Sequence, residues 1–250
     1  MNRSAVLPSP LFLGILAATI VGGVLTVQTP LTVITIGTVL VVLGGWAVSL
    51  CLHEFGHAFV AYRGGDRSVR AKGYLTLDIR HYTDPLFSIV IPIVLLMAGG
   101  IPLPGGAVWI NHYALRTKRI ESAVSLAGPL SNLVLGALLA TAVRAFDPPV
   151  GLAAALSYLA LLQIFAFVLN ILPVPGLDGF GAIEPFLSPQ AQAFGAKARQ
   201  WAPLILFALL IGVPPIRSLF STITETVFGW VGGDDIAAYF GRVTFTFWQR

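Results

Sequence analysis

Three ionisable side chains share one helical turn of an otherwise apolar stretch: His53, Glu54 and His57, in the order His53-Glu54-Phe55-Gly56-His57. On a helix, residues four apart lie on one face, so both imidazoles can bind one Zn²⁺ while the glutamate between them serves as general base. With four His and four Glu in 250 residues, only about 0.001 matches to H-E-x-x-H are expected by chance. Their placement adds weight, because charged groups inside an apolar span are costly and mark function.

Two histidines do not complete a catalytic zinc site, which usually has three protein ligands and leaves a fourth position open. Between positions 150 and 183 the single charged residue is Asp178, within Asn170-Ile-Leu-Pro173-Val-Pro175-Gly-Leu-Asp178-Gly179. The prolines and glycines break a helix there, and irregular backbone at membrane depth is tolerated where it lines a cavity. Asp178 is therefore the expected third ligand. His81 and His112 fall in charged loops and are read as surface histidines. Cys51, the sole cysteine, reads as a small buried hydrophobe.

The elements that must position these groups are apolar blocks at 9–28, 31–62, 86–100, 121–144, 151–172 and 200–216. About 20 residues cross the hydrocarbon, so the first, second, fourth and fifth qualify. The third is short and broken by Pro92, and the last ends at Pro214-Pro215. Segment 217–232 is either an interfacial helix or a further span. Alternation of Leu75, Leu77 and Ile79 with Thr76, Asp78 and Arg80 predicts a strand at 74–80. A second, at 106–110, would follow the turn-forming Pro102-Leu-Pro104-Gly-Gly. The expected fold class is an all-α polytopic membrane protein with five to six transmembrane helices. A short membrane-associated β-hairpin or re-entrant segment is added to it. One domain is expected over 1–250, its core at 31–190 and a C-terminal span and tail at 200–250.

Composition supports the bilayer. Apolar and aromatic residues make up 56% of the chain and charged residues 10%, against about 25% charged in soluble domains. The mean hydropathy is +0.84. A soluble globular enzyme, a disordered tail and a nucleic-acid-binding domain are excluded on these grounds. The net charge is +4, and Arg63, Arg67, Arg70, Lys72, Arg80, Arg116, Lys118 and Arg119 form its main concentration. Basic residues beside spans mark the cytoplasmic side.

Three separated motifs, His53-Glu54-Phe55-Gly56-His57, Gly128-Pro129-Leu130-Ser131-Asn132 and the N-x-x-P-x-P-x-x-D-G stretch at 170–179, occur in an order that resembles the site-2 protease family of intramembrane zinc metalloproteases. The resemblance covers about 40–190. It implies that His53, His57 and Asp178 hold zinc and that Glu54 is the catalytic acid/base. Asn170 matches the family asparagine that holds the substrate or its oxyanion. Asn132 is a second such candidate, with helix packing as its other role. The resemblance also implies substrates that are membrane-embedded proteins, such as membrane-tethered regulators of transcription. No PDZ or CBS domain is recognisable in the chain.

Topology tests this reading. A cytoplasmic basic loop at 63–83 makes the second span run outward to inward and places His53 and His57 near its cytoplasmic end. The fifth block must end on that side to deliver Asp178, and the fourth must start there. The segment 84–115 must then leave and return on one side. The expectation is thus a multi-pass plasma-membrane protease with its site toward the cytoplasm, cleaving within or near transmembrane segments. A non-proteolytic scaffold and, less favoured, a transporter are the alternatives. No nucleic-acid partner is expected.

Overall fold

The computed structural model describes residues 8–82 and 108–249. Its elements are α1 (Pro10–Leu25), α2 (Leu31–Gly64), α3 (Ser68–Ala71), α4 (Ile79–Tyr82), α5 (Lys118–Phe146), α6 (Val150–Asn170), α7 (Asp178–Ile183), α8 (Pro189–Ala198), α9 (Ala202–Gly212), α10 (Pro214–Trp230) and α11 (Asp235–Phe245). Among the described residues there is no strand. Helix ends follow local chemistry. Ser9 and Thr117 accept hydrogen bonds from the backbone N–H groups of Phe12 and Ile120, as N-cap residues do. Asp147 closes α5 in the left-handed conformation (φ 43°), and Pro149 precedes α6.

Three helices, α2, α5 and α6, are long and apolar enough to cross a membrane. The bent pair α8 and α9, with 62° between them, makes a fourth if counted as one span. The protein is accordingly a membrane protein. Helix α1 is apolar but has only 16 residues, and the apolar block at 200–216 is interrupted where Pro214 starts α10. Against lipid, burial of apolar surface gives little drive for helices to associate, so close packing of small residues takes its place. Gly22 of α1 and Gly37 of α2 meet so tightly that a Cβ on Gly37 would lie 2.7 Å from the Gly22 carbonyl oxygen. Large exposed apolar side chains, Ile20, Val134, Leu138, Leu204 and Ile205 among them, face outward from this core.

Helices α2 and α5 run antiparallel, since His57 bonds to Val124 and His53 to Asn132. The short turn at 147–149 returns the chain, so α6 lies antiparallel to α5 and parallel to α2. Both α2 and α6 therefore end on one side, as the topology required. The basic stretches meet there too, with Arg116 N–H donating to the Gly64 carbonyl at 3.2 Å.

The predicted strand at 74–80 is corrected. The segment is a turn, with Leu77 at φ 56°, running into α4. Asp78 is buried, and its carboxylate accepts from the Arg80 backbone N–H at 3.1 Å and from the Arg80 guanidinium at 2.9 and 2.6 Å. A local carboxylate thus satisfies the N–H that a strand would give to a neighbour. Those guanidinium bonds outweigh the effect of burial and hold the Asp78 carboxyl below its ordinary range. In the second expected strand, residues 108–110 have no regular structure. Positions 106 and 107, the 86–100 block and the Pro/Gly turn lie outside the described residues. Segment 217–232 is helical up to Trp230 as part of α10, with Phe220, Thr224 and Phe228 buried along one face.

Candidate metal centre

Helix α2 is 34 residues long, about 51 Å at 1.5 Å per residue, and carries His53, Glu54 and His57 on its last third. All three are buried, at 7%, 2% and 6% exposure. The imidazoles project toward α5, where Gly128 makes room for them. A Cβ on Gly128 would collide with both rings. On the α2 side, Gly56 permits the same approach, since its Cβ would lie 2.9 Å from the Ala127 carbonyl oxygen.

Asp178 arrives from the other end of the chain. After α6 ends at Asn170 the backbone turns through 171–177, with Leu177 N–H donating to Val174 O at 2.9 Å. Gly176 sits at φ 97°, a conformation open to glycine, and packs on the Arg199 carbonyl. Asp178 then opens α7. Its Oδ2 lies 3.2 Å from His53 Nε2 and its Oδ1 3.5 Å from His57 Nε2, while the two Nε2 atoms are 3.1 Å apart. Among the described residues this is the one group of three or more His, Cys, Asp or Glu side chains placed to hold a metal ion.

The donor set fits zinc. His53 Nδ1 faces Asn132 Oδ1 at 2.6 Å and His57 Nδ1 faces the Val124 carbonyl at 2.7 Å. Both Nδ1 positions therefore carry hydrogen and donate to oxygen, which leaves a lone pair on each Nε2. Two such lone pairs directed at each other across 3.1 Å, with a carboxylate beside them, repel unless a cation lies among them. Two imidazole nitrogens and one carboxylate oxygen form a known ligand set of catalytic zinc.

Glu54 belongs to the same cavity, of about 340 Å³, into which Trp46, Asn170, Phe180 and Glu184 also reach. Its Oε2 accepts from the Val108 backbone N–H at 3.1 Å, a contact between positions 54 residues apart that no motif points to. Asn170 is buried and lines the cavity. Asn132 is buried as well, with its amide engaged on both sides, by His53 and by Gln163. His81 stands apart from the cluster, beside Thr76 and Gly73. His112 pairs with Glu121 at 2.7 Å and is about half exposed, yet it also lines the cavity, a position the sequence reading did not foresee. Gln163 was missed outright. The available signal was an amide in the middle of an apolar span, which is unfavourable in lipid unless bonded.

Comparison with known proteins gives one consistent result. The chain is 43% identical over 252 residues to "Putative zinc metalloprotease Rip2" of Mycolicibacterium smegmatis, covering 99% of this chain and 96% of the relative. It is 44% identical to the protein of the same name from Mycobacterium tuberculosis over 256 residues, covering 99% and 97%. "Putative zinc metalloprotease YwhC" of Bacillus subtilis is 32% identical over 177 residues, 66% of this chain and 77% of the relative. No family model matches the chain, and no solved structure does.

Proposed function

Because the chain belongs to the site-2 protease family of zinc metalloproteases, in the form represented by Rip2, we propose that His53, His57 and Asp178 hold its zinc and that Glu54 is its catalytic acid/base. The protein is a zinc metalloprotease, and the observation that carries the site assignment is the convergence of three lone-pair donors next to Glu54 in one cavity. When bound, zinc supplies a Lewis acid that polarises a carbonyl and acidifies water.

The residues of this chain do the rest. Glu54 takes the proton of the attacking water and delivers it to the amide nitrogen that leaves, so peptide cleavage is balanced in protons. The Val108 N–H holds Oε2 of Glu54 in place, which leaves Oε1 for proton exchange. Asn170 lines the cavity, and its amide donates to the oxyanion that develops on the scissile carbonyl. Asn132 also lines the cavity, but both ends of its amide are engaged, by His53 and by Gln163, which favours an orienting role for it over substrate binding.

The substrates we infer are membrane proteins cut within or near a transmembrane segment, membrane-tethered transcription regulators among the candidates. Location in the plasma membrane, with the site toward the cytoplasm, is supported by charge and depth. The eight basic residues of 63–119 flank the ends of α2 and α5 nearest the site, and His53 lies about 33 Å along α2 from Leu31 at 1.5 Å per residue. A multi-pass chain of five to six spans counts α1, α2, α5 and α6 with one or two crossings from α8 to α10. The whole of 1–250 is taken as one protease domain, its core at 31–190.

The test is cleavage of a single-span substrate by purified protein in liposomes, with zinc measured in the same samples. Glu54→Gln should keep its zinc and lose cleavage by about 10²–10⁴-fold. Full activity in that variant would overturn the assignment of Glu54. A wild-type protein that holds zinc and cuts nothing would favour a non-proteolytic scaffold.

A further inference from the structure

The two imidazoles of the metal centre are held by partners of different kinds. His57 Nδ1 faces the Val124 carbonyl, which can only accept, so one tautomer satisfies it. His53 Nδ1 faces Asn132, a primary amide with an acceptor on one atom and a donor on the other. Turned about its own axis, Asn132 would present its NH₂ to Nδ1, demand the lone pair there and move the ring proton to Nε2. That is the atom facing His57 and Asp178. The correct His53 tautomer therefore depends on which way Asn132 points.

Gln163 resists that turn. It reaches from α6, and its Oε1 accepts from Asn132 Nδ2 at 2.8 Å. With the Gln163 oxygen kept opposite, a turned Asn132 would set two amide oxygens face to face, so Asn132 can turn only if Gln163 turns with it. Gln163 is fully buried and is not among the residues lining the cavity. Its own Nε2 has no hydrogen-bond partner, an unfavourable state for a buried donor. An apolar side chain of equal volume would avoid that penalty, so what Gln163 contributes here is its oxygen.

Resting on the zinc reading above, we propose that Gln163 is a positioning residue of the metal centre. Through Asn132 it keeps the proton of His53 on Nδ1 and the lone pair of Nε2 free for the metal. The relay Gln163–Asn132–His53 links α6, α5 and α2, the three helices that bear the site.

The experiment measures zinc affinity by chelator competition, together with the imidazole nitrogen signals of His53 in the metal-free protein. Gln163→Met keeps the volume and removes the oxygen. It should weaken zinc about tenfold, at the lower end of the effect of outer partners, and raise the Nε2–H form of His53. In an Asn132→Ala background the same change should do nothing further. Zinc affinity within about twofold of wild type, or a loss that persists undiminished in the Asn132→Ala background, overturns the proposal. Gln163→Glu, which retains an acceptor oxygen, should hold zinc within about twofold of wild type. A tenfold loss in folded Gln163→Glu, or an Nε2–H tautomer of His53 in the metal-free wild type, overturns it as well. Absence of zinc binding by wild type would instead sink the metalloprotease reading itself.

Discussion

His53 and His57 ride on a 34-residue helix, whereas Asp178 stands beyond a break that carries Pro173, Pro175 and Gly176. The first pair is spaced by helical period alone and needs only room, which Gly56 and Gly128 provide. The aspartate has no such frame. Its place is set by the turn at 171–177, by the fold of Gly179 onto the Ile171 carbonyl and by the seat of Gly176 on the Arg199 backbone. A rigid element presents two ligands at fixed spacing, and an irregular one brings the third to meet them. The lesson is that damage to the two regions should take different forms. On the helix side the ligands stay paired and are pushed, while on the loop side the ligand is misplaced by local strain.

Removing a ligand outright is the largest perturbation and should abolish the contrast. His57→Ala and Asp178→Asn should each weaken zinc by more than the roughly 10–100-fold usual for loss of an outer partner. Competition with a chelator measures this, and unchanged zinc stoichiometry in Asp178→Asn would count against ligation from the loop. Next comes Gly128→Ala, whose methyl group collides with both imidazoles. Cleavage should fall about 100-fold, as it does when reacting groups are misplaced by about 1 Å. Gly14→Ala is the control, since a Cβ there meets nothing within 4 Å. Wild-type turnover in Gly128→Ala would show that α5 yields and that the rings are not confined.

Gly176→Ala sharpens the comparison from the loop side. An alanine at φ 97° costs about 1–2 kcal/mol and also meets Arg199, so hydrogen exchange at 171–177 should speed up while α2 keeps its protection. Equal acceleration in α2 would mean that loop and helix open as one unit. The smallest effect is expected outside the metal centre, at the basic loop. Burial raises the pKa of Asp66, but hydrogen bonds from the Ser68 hydroxyl and from the Asn111 and Ser68 backbone N–H groups outweigh it, and the carboxyl is held below its ordinary range. A carboxyl depressed in the folded state stabilises above its ordinary pKa and loses that contribution as pH falls through the folded value. Amide exchange at Ser68 and Asn111 should thus be slow at pH 6, relative to intrinsic rates, and lose its protection below about pH 4. Protection that survives to pH 2 would separate these amides from the Asp66 charge.

Much of the site is readable before any coordinates. The i, i+4 histidines need only a helix, and Asp178 is conspicuous as the lone charge in 150–183. What resisted reading was side-chain traffic between helices. Asn132 could be placed in a motif but not assigned an atom to touch, and Gln163 drew no notice. The strand expected at 74–80 failed for a related reason. Alternation of apolar and polar residues matches a pleated strand, yet here Asp78 spends its oxygens on Arg80 and turns the chain. Helix ends within the apolar blocks were not legible either, because apolar length does not register where Pro214 restarts a helix or where α1 stops at Leu25.

The sequence by itself determined that the chain belongs in a membrane, which residue types could bind zinc, and which span ends carry the basic residues. Each of these follows from composition, from a four-residue spacing or from charge beside a span, all properties of short stretches. Only the tertiary structure decided that Asp178 meets a histidine pair more than 100 positions earlier, that Gly128 is the space in which the rings lie, and that Asn132 and Gln163 join in a line behind His53. Such contacts depend on how closely α2, α5 and α6 pack, and packing distance is a property of surfaces in contact that no single segment encodes.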